Sequence, residues 1–173
     1  MNKFNIYKKD ILFFLIWIMG IFIVFNFILM PVDVSGQSMY PQLENQEKLL
    51  GLRNANIKRF DIVTFQAPDD DSKDYIKRVI GLPGETIAYK GNTLYINGVK
   101  QKEPFLSQKG AHLSEKVTTE DFTIIVPQNS YFVLGDNRLA SKDSRYFGPI
   151  DSESINSKII FSLYPFDKIE WLF

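Results

Sequence analysis

The spacing of hydrophobic and polar positions changes once along this chain, near residue 30. From Ile11 to Met30 no charge appears, and only Gly20 and Asn26 interrupt a run of Ile, Phe, Leu, Val and Met with no polar face at any helical period. A helix of about twenty residues rises about 30 Å, the hydrocarbon thickness of a bilayer, so the run predicts a transmembrane helix over 11–30. Beyond it the apolar stretches are short: 48–52, 61–65, 75–80, 86–89, 93–96, 123–126, 131–134 and 158–164 read as strands between Gly, Pro, Asn and Asp breakers. Asn97-Gly98 supplies the positive φ of a two-residue hairpin and makes 86–99 a meander. Asp69-Asp70-Asp71-Ser72 reads as a solvated turn, 104–121 as a polar excursion, and 152–155 as one helical turn. The predicted fold class is mainly β: an N-terminal transmembrane helix followed by an antiparallel β-rich domain over 31–173.

Charge next to the apolar run sets its expected orientation. Lys3, Lys8 and Lys9 outnumber Asp10 ahead of it, which predicts a cytoplasmic N-terminus over 1–10 and an extracytoplasmic 31–173. A cleavable leader has a shorter apolar region and ends in a small-x-small site, whereas this run closes on Ile28-Leu29-Met30-Pro31. The expectation is a retained single-pass anchor in the cell membrane, with the lipid bilayer as a partner. Ser38 follows Met30 by eight residues, at most about 29 Å when extended, so it is tethered near the membrane surface.

Composition narrows the chemistry. Twenty Lys+Arg balance 20 Asp+Glu, so no global field recruits nucleic acid. With 0 Cys there is no thiolate nucleophile and no disulfide framework, and with 1 His a Ser-His-Asp triad would have to use His112, which sits in the polar run 108–116 and reads as a surface residue. Ser38, in Ser35-Gly36-Gln37-Ser38-Met39-Tyr40-Pro41, is the candidate nucleophile, although a serine in such a turn is ordinarily a solvated turn former. A serine hydroxyl attacks only when something takes its proton, and a lysine amine does so only when neutral. Lys77 lies in the strand Tyr75-Ile76-Lys77-Arg78-Val79-Ile80, where period-two geometry puts Tyr75, Lys77 and Val79 on one face. Burial of that face would lower its pKa, while exposure would leave it an ordinary strand lysine.

Three segments in order carry a resemblance. Ser38-Met39-Tyr40-Pro41 has the form Ser-Met-x-Pro, residues 77–84 read Lys-Arg-Val-Ile-Gly-Leu-Pro-Gly, and 135–145 read Gly-Asp-Asn-x-x-x-Ser-x-Asp-Ser-Arg. Behind an N-terminal anchor, and with Arg59-Phe60-Asp61-Ile62-Val63-Thr64-Phe65 resembling a fourth family segment, they closely resemble bacterial type I signal peptidases of the Gram-positive-like, single-anchor kind. The resemblance implies the signal-peptidase/LexA-like β fold and a membrane-anchored serine endopeptidase. It cleaves signal peptides of exported preproteins after a small-x-small motif, through a Ser/Lys dyad and an acyl-enzyme. It implies Ser38 as nucleophile and Lys77 as base, Ser141 orienting the lysine amine, Asp143 and Arg145 as an ion pair behind the site, and supporting roles for Arg78 and Asp136. It also implies that Val32, Val34 and Ile76 line shallow apolar pockets, that no cofactor or metal is used, and that the secretion translocon is a partner. Taken singly, the charged residues read equally as loop-holding ion pairs, and the three apolar ones as ordinary core. Two positions depart from the family pattern. Gly36 stands where some members have an oxyanion-binding serine, which leaves the Ser38 backbone N–H as donor and lets the backbone approach a substrate closely. Phe60 stands where glycine is usual, for which a packing consequence is expected. The other readings are a self-cleaving LexA-type repressor protease, disfavoured by the anchor and the lack of a helix-turn-helix segment, and a noncatalytic membrane-anchored β domain that binds exported chains.

Overall fold

The computed structural model describes residues 3–106, 119–166 and 169–172. The apolar run forms α1 (Lys3–Ile23), whose last turn widens into a π-helix over Val24–Ile28. Lys9–Ile28 is long and apolar enough to cross a membrane, and none of it is buried against the rest of the chain. The amide of Asn26, the polar interruption, donates to the Phe22 carbonyl at 2.8 Å and so is satisfied within the helix. The helix ends two residues before the sequence pattern suggests. Leu29 is already extended and opens β1 (Leu29–Asp33), because Pro31 lacks a helical donor and disfavours a helical Met30.

The strands then follow as β2 (Lys48–Leu52), β3 (Ile62–Ala67), β4 (Asp70–Gly81), β5 (Thr86–Lys90), β6 (Thr93–Ile96), β7 (Val99–Gln101), β8 (Phe122–Ile125) and β9 (Ser130–Leu134). A short α2 (Ser144–Phe147) precedes β10 (Ile150–Asp151), β11 (Ile155–Tyr164) and β12 (Glu170–Trp171). The larger sheet is ordered β1-β2-β11-β3-β4-β9-β10 with β12 on β11, and the smaller is β7-β6-β5-β8; every pairing is antiparallel. The expected meander supplies β5, β6 and β7 of the smaller sheet, and β8 pairs onto β5 from outside it. The acidic stretch 69–72 is not a free turn, since Asp70 already pairs with Ala67 and only Pro68 and Asp69 turn the chain. At the start of the excursion a 3-10 turn over Pro104–Leu106 buries Phe105, and at its end the Thr119 N–H donates to Asn92 at 2.7 Å; residues 107–118, His112 among them, lie outside the described residues.

Period-two patterning divides the core. Ile80, Phe132 and Leu134 of the larger sheet meet Ile87, Tyr89, Leu94 and Ile96 of the smaller, while Val63, Phe65, Val79 and Val133 form a separate cluster on the other face. Val34, Met39, Leu43, Leu49, Ile62 and Ile159 make a third, which fixes the turn after β1. Phe60 adopts φ +69°, the left-handed region that a glycine would fill without strain. It is held there by hydrogen bonds on both sides, its N–H to the Val79 carbonyl and its carbonyl from the Arg78 guanidinium, each 2.8 Å, and by its ring 5.2 Å from that of Phe105.

Candidate active site

The site is assembled from three distant stretches. The first is the turn after β1, held by hydrogen bonds from the Val34 N–H to the Glu47 carbonyl and from the Gly36 N–H to the Asn45 side chain, both 2.9 Å. Met39 and Leu43 are buried below it, so Ser38 is carried on an anchored turn and stays half-buried itself. The second is β4, which delivers Lys77. The third is the loop after β9, residues 135–143, which closes on the first: the Asn137 N–H donates to the Ser38 carbonyl at 3.0 Å and the Asn137 amide to the Gln37 carbonyl at 3.1 Å.

Lys77 is 3% exposed, and its Nζ donates to Ser38 Oγ and to the Ile76 carbonyl, both at 2.9 Å. Burial lowers the amine from its ordinary 10.5 to about 8, and the Asp143 and Asp136 carboxylates keep it from falling further. Both acids are themselves held by arginines. Asp143, fully buried, accepts from Arg145 Nε and Nη2 at 2.8 and 2.9 Å and from the Gly135 N–H at 3.0 Å. Asp136 accepts from Arg78 Nε and Nη2 at 2.8 and 2.7 Å. The four charged residues expected to support the site thus fall into two bidentate pairs, Arg78–Asp136 buried and Arg145–Asp143 part-buried at the arginine.

Ser141 is placed differently. Its buried hydroxyl has no hydrogen-bond partner among the described residues, and the Ile76 carbonyl occupies the second acceptor position of the amine. The hydroxyl is instead wedged against Gly135, where a Cβ would lie 2.2 Å from Ser141 Oγ and 2.5 Å from the Ser38 carbonyl oxygen. Gly36 is exposed with φ +91°, and a Cβ there would meet nothing within 4 Å; the left-handed backbone is what calls for glycine.

A cleft of about 200 Å³ opens over Ser38 and Lys77, walled by Val34, Gly36, Met39, Tyr75, Ile76 and Lys142 among others. Val34 and Ile76 therefore line it, whereas Val32 is packed behind it, half-buried against the cluster that contains Val34. Asp69, expected to be solvated, reaches the rim: its carboxylate accepts from Lys142 Nζ and, at 3.3 Å, from the Tyr75 hydroxyl. Sequence reasoning also missed Arg138, whose guanidinium is bound by Tyr89 and Glu103. No spacing signals the Lys142 and Arg138 contacts, because those partners, 35 to 73 residues apart, meet only through strand order. Among the described residues no group of three or more His, Cys, Asp or Glu side chains gathers as a metal site would.

The same stretches recur in known proteins. Residues 7–164 match the family described as signal peptidase, peptidase S26. The chain belongs to this family. It is 37% identical to signal peptidase IB of Staphylococcus aureus strain MRSA252 over 96% of each chain, and 43% identical to signal peptidase I of Bacillus caldolyticus over 81% of this chain and 82% of that one. A crystal structure of a signal peptidase I from Enterococcus faecalis V583 superposes with a TM-score of 0.54 at 42% identity, covering 60% of this chain and 97% of its own. As an S26 signal peptidase the chain is a protease with a mainly antiparallel β fold and one apolar N-terminal helix.

Gly135→Ala should displace the Ser38 backbone, because the new methyl would lie 2.5 Å from both the Ser141 Cβ and the Ser38 carbonyl oxygen and neither is the free end of a side chain. The expected outcome is a fall in peptide cleavage of about a hundredfold with near-native circular dichroism, as for a misplacement of about 1 Å.

Proposed function

We propose that the protein removes signal peptides from exported preproteins by a Ser38/Lys77 dyad, cutting after a small-x-small motif. The observation that carries this reading is the 2.9 Å contact between Lys77 Nζ and Ser38 Oγ at an amine 3% exposed. Ser38 Oγ attacks the carbonyl carbon of the scissile bond while the neutral amine takes its proton. The resulting ammonium gives that proton to the leaving amine as the C–N bond breaks, leaving an ester on Ser38. Water, activated by the same amine, then hydrolyses the ester. The Ser38 backbone N–H is the oxyanion donor, and the open backbone at Gly36 admits the substrate beside it.

Strand edges support the mode of binding. Among the described residues β4 pairs with β9 only from Arg78 onward, and β1 is the outer strand of its sheet, so Asp74–Lys77 faces the cleft with an unpaired edge. A preprotein segment enters as an added strand, with Val34 and Ile76 reading its small side chains. The helix over Lys9–Ile28 holds this cleft next to the bilayer, with residues 1–10 cytoplasmic, 31–173 outside, and the translocon as the source of substrate.

Ser38→Ala and Lys77→Met should each reduce cleavage of a preprotein at its small-x-small site to background; residual turnover by Lys77→Met at a few per cent or more would sink the dyad. A noncatalytic binder would show no cleavage by the wild-type chain. Below pH 8 the neutral fraction of an amine titrating at about 8 rises about tenfold per pH unit, so kcat should climb to about pH 8 and level above it. A profile flat from pH 5 to 9 would exclude Lys77 as base. For topology, single cysteines introduced at residue 5 or 146 of this cysteine-free chain should differ in intact cells: a membrane-impermeant maleimide labels 146 and spares 5. The opposite pattern reverses the orientation.

A further inference from the structure

The smaller sheet contributes no reacting group, yet it is joined to the loop behind Ser38 by buried charge. Arg138 follows directly on the Asp136-Asn137 pair of that loop, and its side chain is 1% exposed. Its three bonds run in two directions. Nε donates to the Gly135 carbonyl at 3.0 Å, on the loop itself. Nη1 donates to the Tyr89 hydroxyl at 2.7 Å, on β5 of the smaller sheet, and Nη2 to Glu103 Oε1 at 2.5 Å, just after β7. The Tyr89 hydroxyl also donates to Glu103 Oε1 at 2.7 Å, closing a three-membered ring of hydrogen bonds.

Two residues along, the same segment touches the second arginine of the site. The Phe105 ring lies 4.2 Å from Arg78 Cζ, and Arg78 holds Asp136. The stretch Glu103-Pro104-Phe105 therefore bears on this loop twice, directly at Arg138 and through Arg78 at Asp136. Gly135 has its N–H on Asp143 and its carbonyl on Arg138, and its Cα is packed against Ser141 Oγ and the Ser38 carbonyl. A shift of Arg138 is thus transmitted to the backbone of the nucleophile without an intervening flexible side chain.

We propose that Tyr89 and Glu103 are positioning residues for catalysis, holding Arg138 so that the Gly135–Asn137 backbone sets the attack geometry of Ser38. The proposal deepens the dyad reading and rests on Ser38 as nucleophile. A buried guanidinium deprived of one partner moves toward the remaining acceptors, and such a hydrogen bond to a charged group is a strong one. Ground-state binding in the cleft draws on Val34 and on Asp74–Ile76 of β4, none of which hydrogen-bonds to Arg138, Tyr89 or Glu103, so the effect falls on kcat more than on KM.

The test uses the full chain in detergent micelles and a peptide with a small-x-small site, measured well below the unfolding temperature of every variant. Tyr89→Phe deletes one hydroxyl and no volume, and should lower kcat about tenfold with KM within about twofold of wild type, an effect of the size that small misplacements of reacting groups produce. Glu103→Gln, which keeps an oxygen acceptor, should retain more of kcat than Glu103→Ala. An unchanged kcat in folded Tyr89→Phe overturns the proposal, even if its Tm falls, and it does so whether or not Glu103→Ala folds. Ser38→Ala runs alongside: activity in that variant removes the dyad reading, whereas an inactive Ser38→Ala with a normal Tyr89→Phe removes only the positioning ring.

Discussion

A lysine amine held out of water is the constraint around which this site is arranged. Water would keep Lys77 protonated at neutral pH; taking it out of water is what brings it to about 8. Two carboxylates stand near enough to oppose that. Left unpaired in a dry interior, either would favour the ammonium strongly. Each is committed instead to a bidentate arginine, Asp143 to Arg145 and Asp136 to Arg78, and burial still outweighs their pull on the amine. Asp143 at the same time organises the loop by accepting from the Gly135 N–H.

Sheet order turns that constraint into architecture. β4 lies between β3 and β9, so its Lys77 is covered by neighbouring strands and by the loop that β9 feeds, while its Asp74–Ile76 edge remains open to the cleft. The turn after β1 brings Ser38 to the cleft where Lys77 meets solvent-accessible space. Its position is set by buried Met39 and Leu43 below and by Asn137 and Gly135 beside it. Because β1 continues directly from the apolar helix, the same strand that leads into the Ser38 turn also limits how far Ser38 can stand from that helix.

Phe60 and Gly135 show two ways of meeting tight geometry. At Gly135 the absence of a side chain lets a loop backbone pass within contact distance of Ser38. At Phe60 a left-handed backbone is imposed on a bulky residue, a strain of order 1 kcal/mol or more, which ring packing on Phe105 and two backbone hydrogen bonds offset.

Much of this was legible in the amino-acid order, because it depends on local spacing. Twenty uncharged apolar residues specify a helix with no water-facing side, alternating β-branched runs specify half-buried strands, and Asn97-Gly98 specifies a hairpin, since each follows from the conformational preferences of a few neighbouring residues. The order of Ser38, Lys77 and the 135–145 loop likewise pointed to one family. Tertiary structure alone decided the rest. It put the Ile76 carbonyl, not the Ser141 hydroxyl, on the Lys77 amine, sent Val32 behind the cleft, drew Asp69 to its rim, and joined Arg138 to Tyr89 and Glu103. Short pairing strands such as β10 and β12 also escaped notice, for they have too few residues to show a period. These outcomes depend on which strands become neighbours and in what register, and a side chain's partner across a sheet is a property of that pairing, not of the residues beside it in the chain.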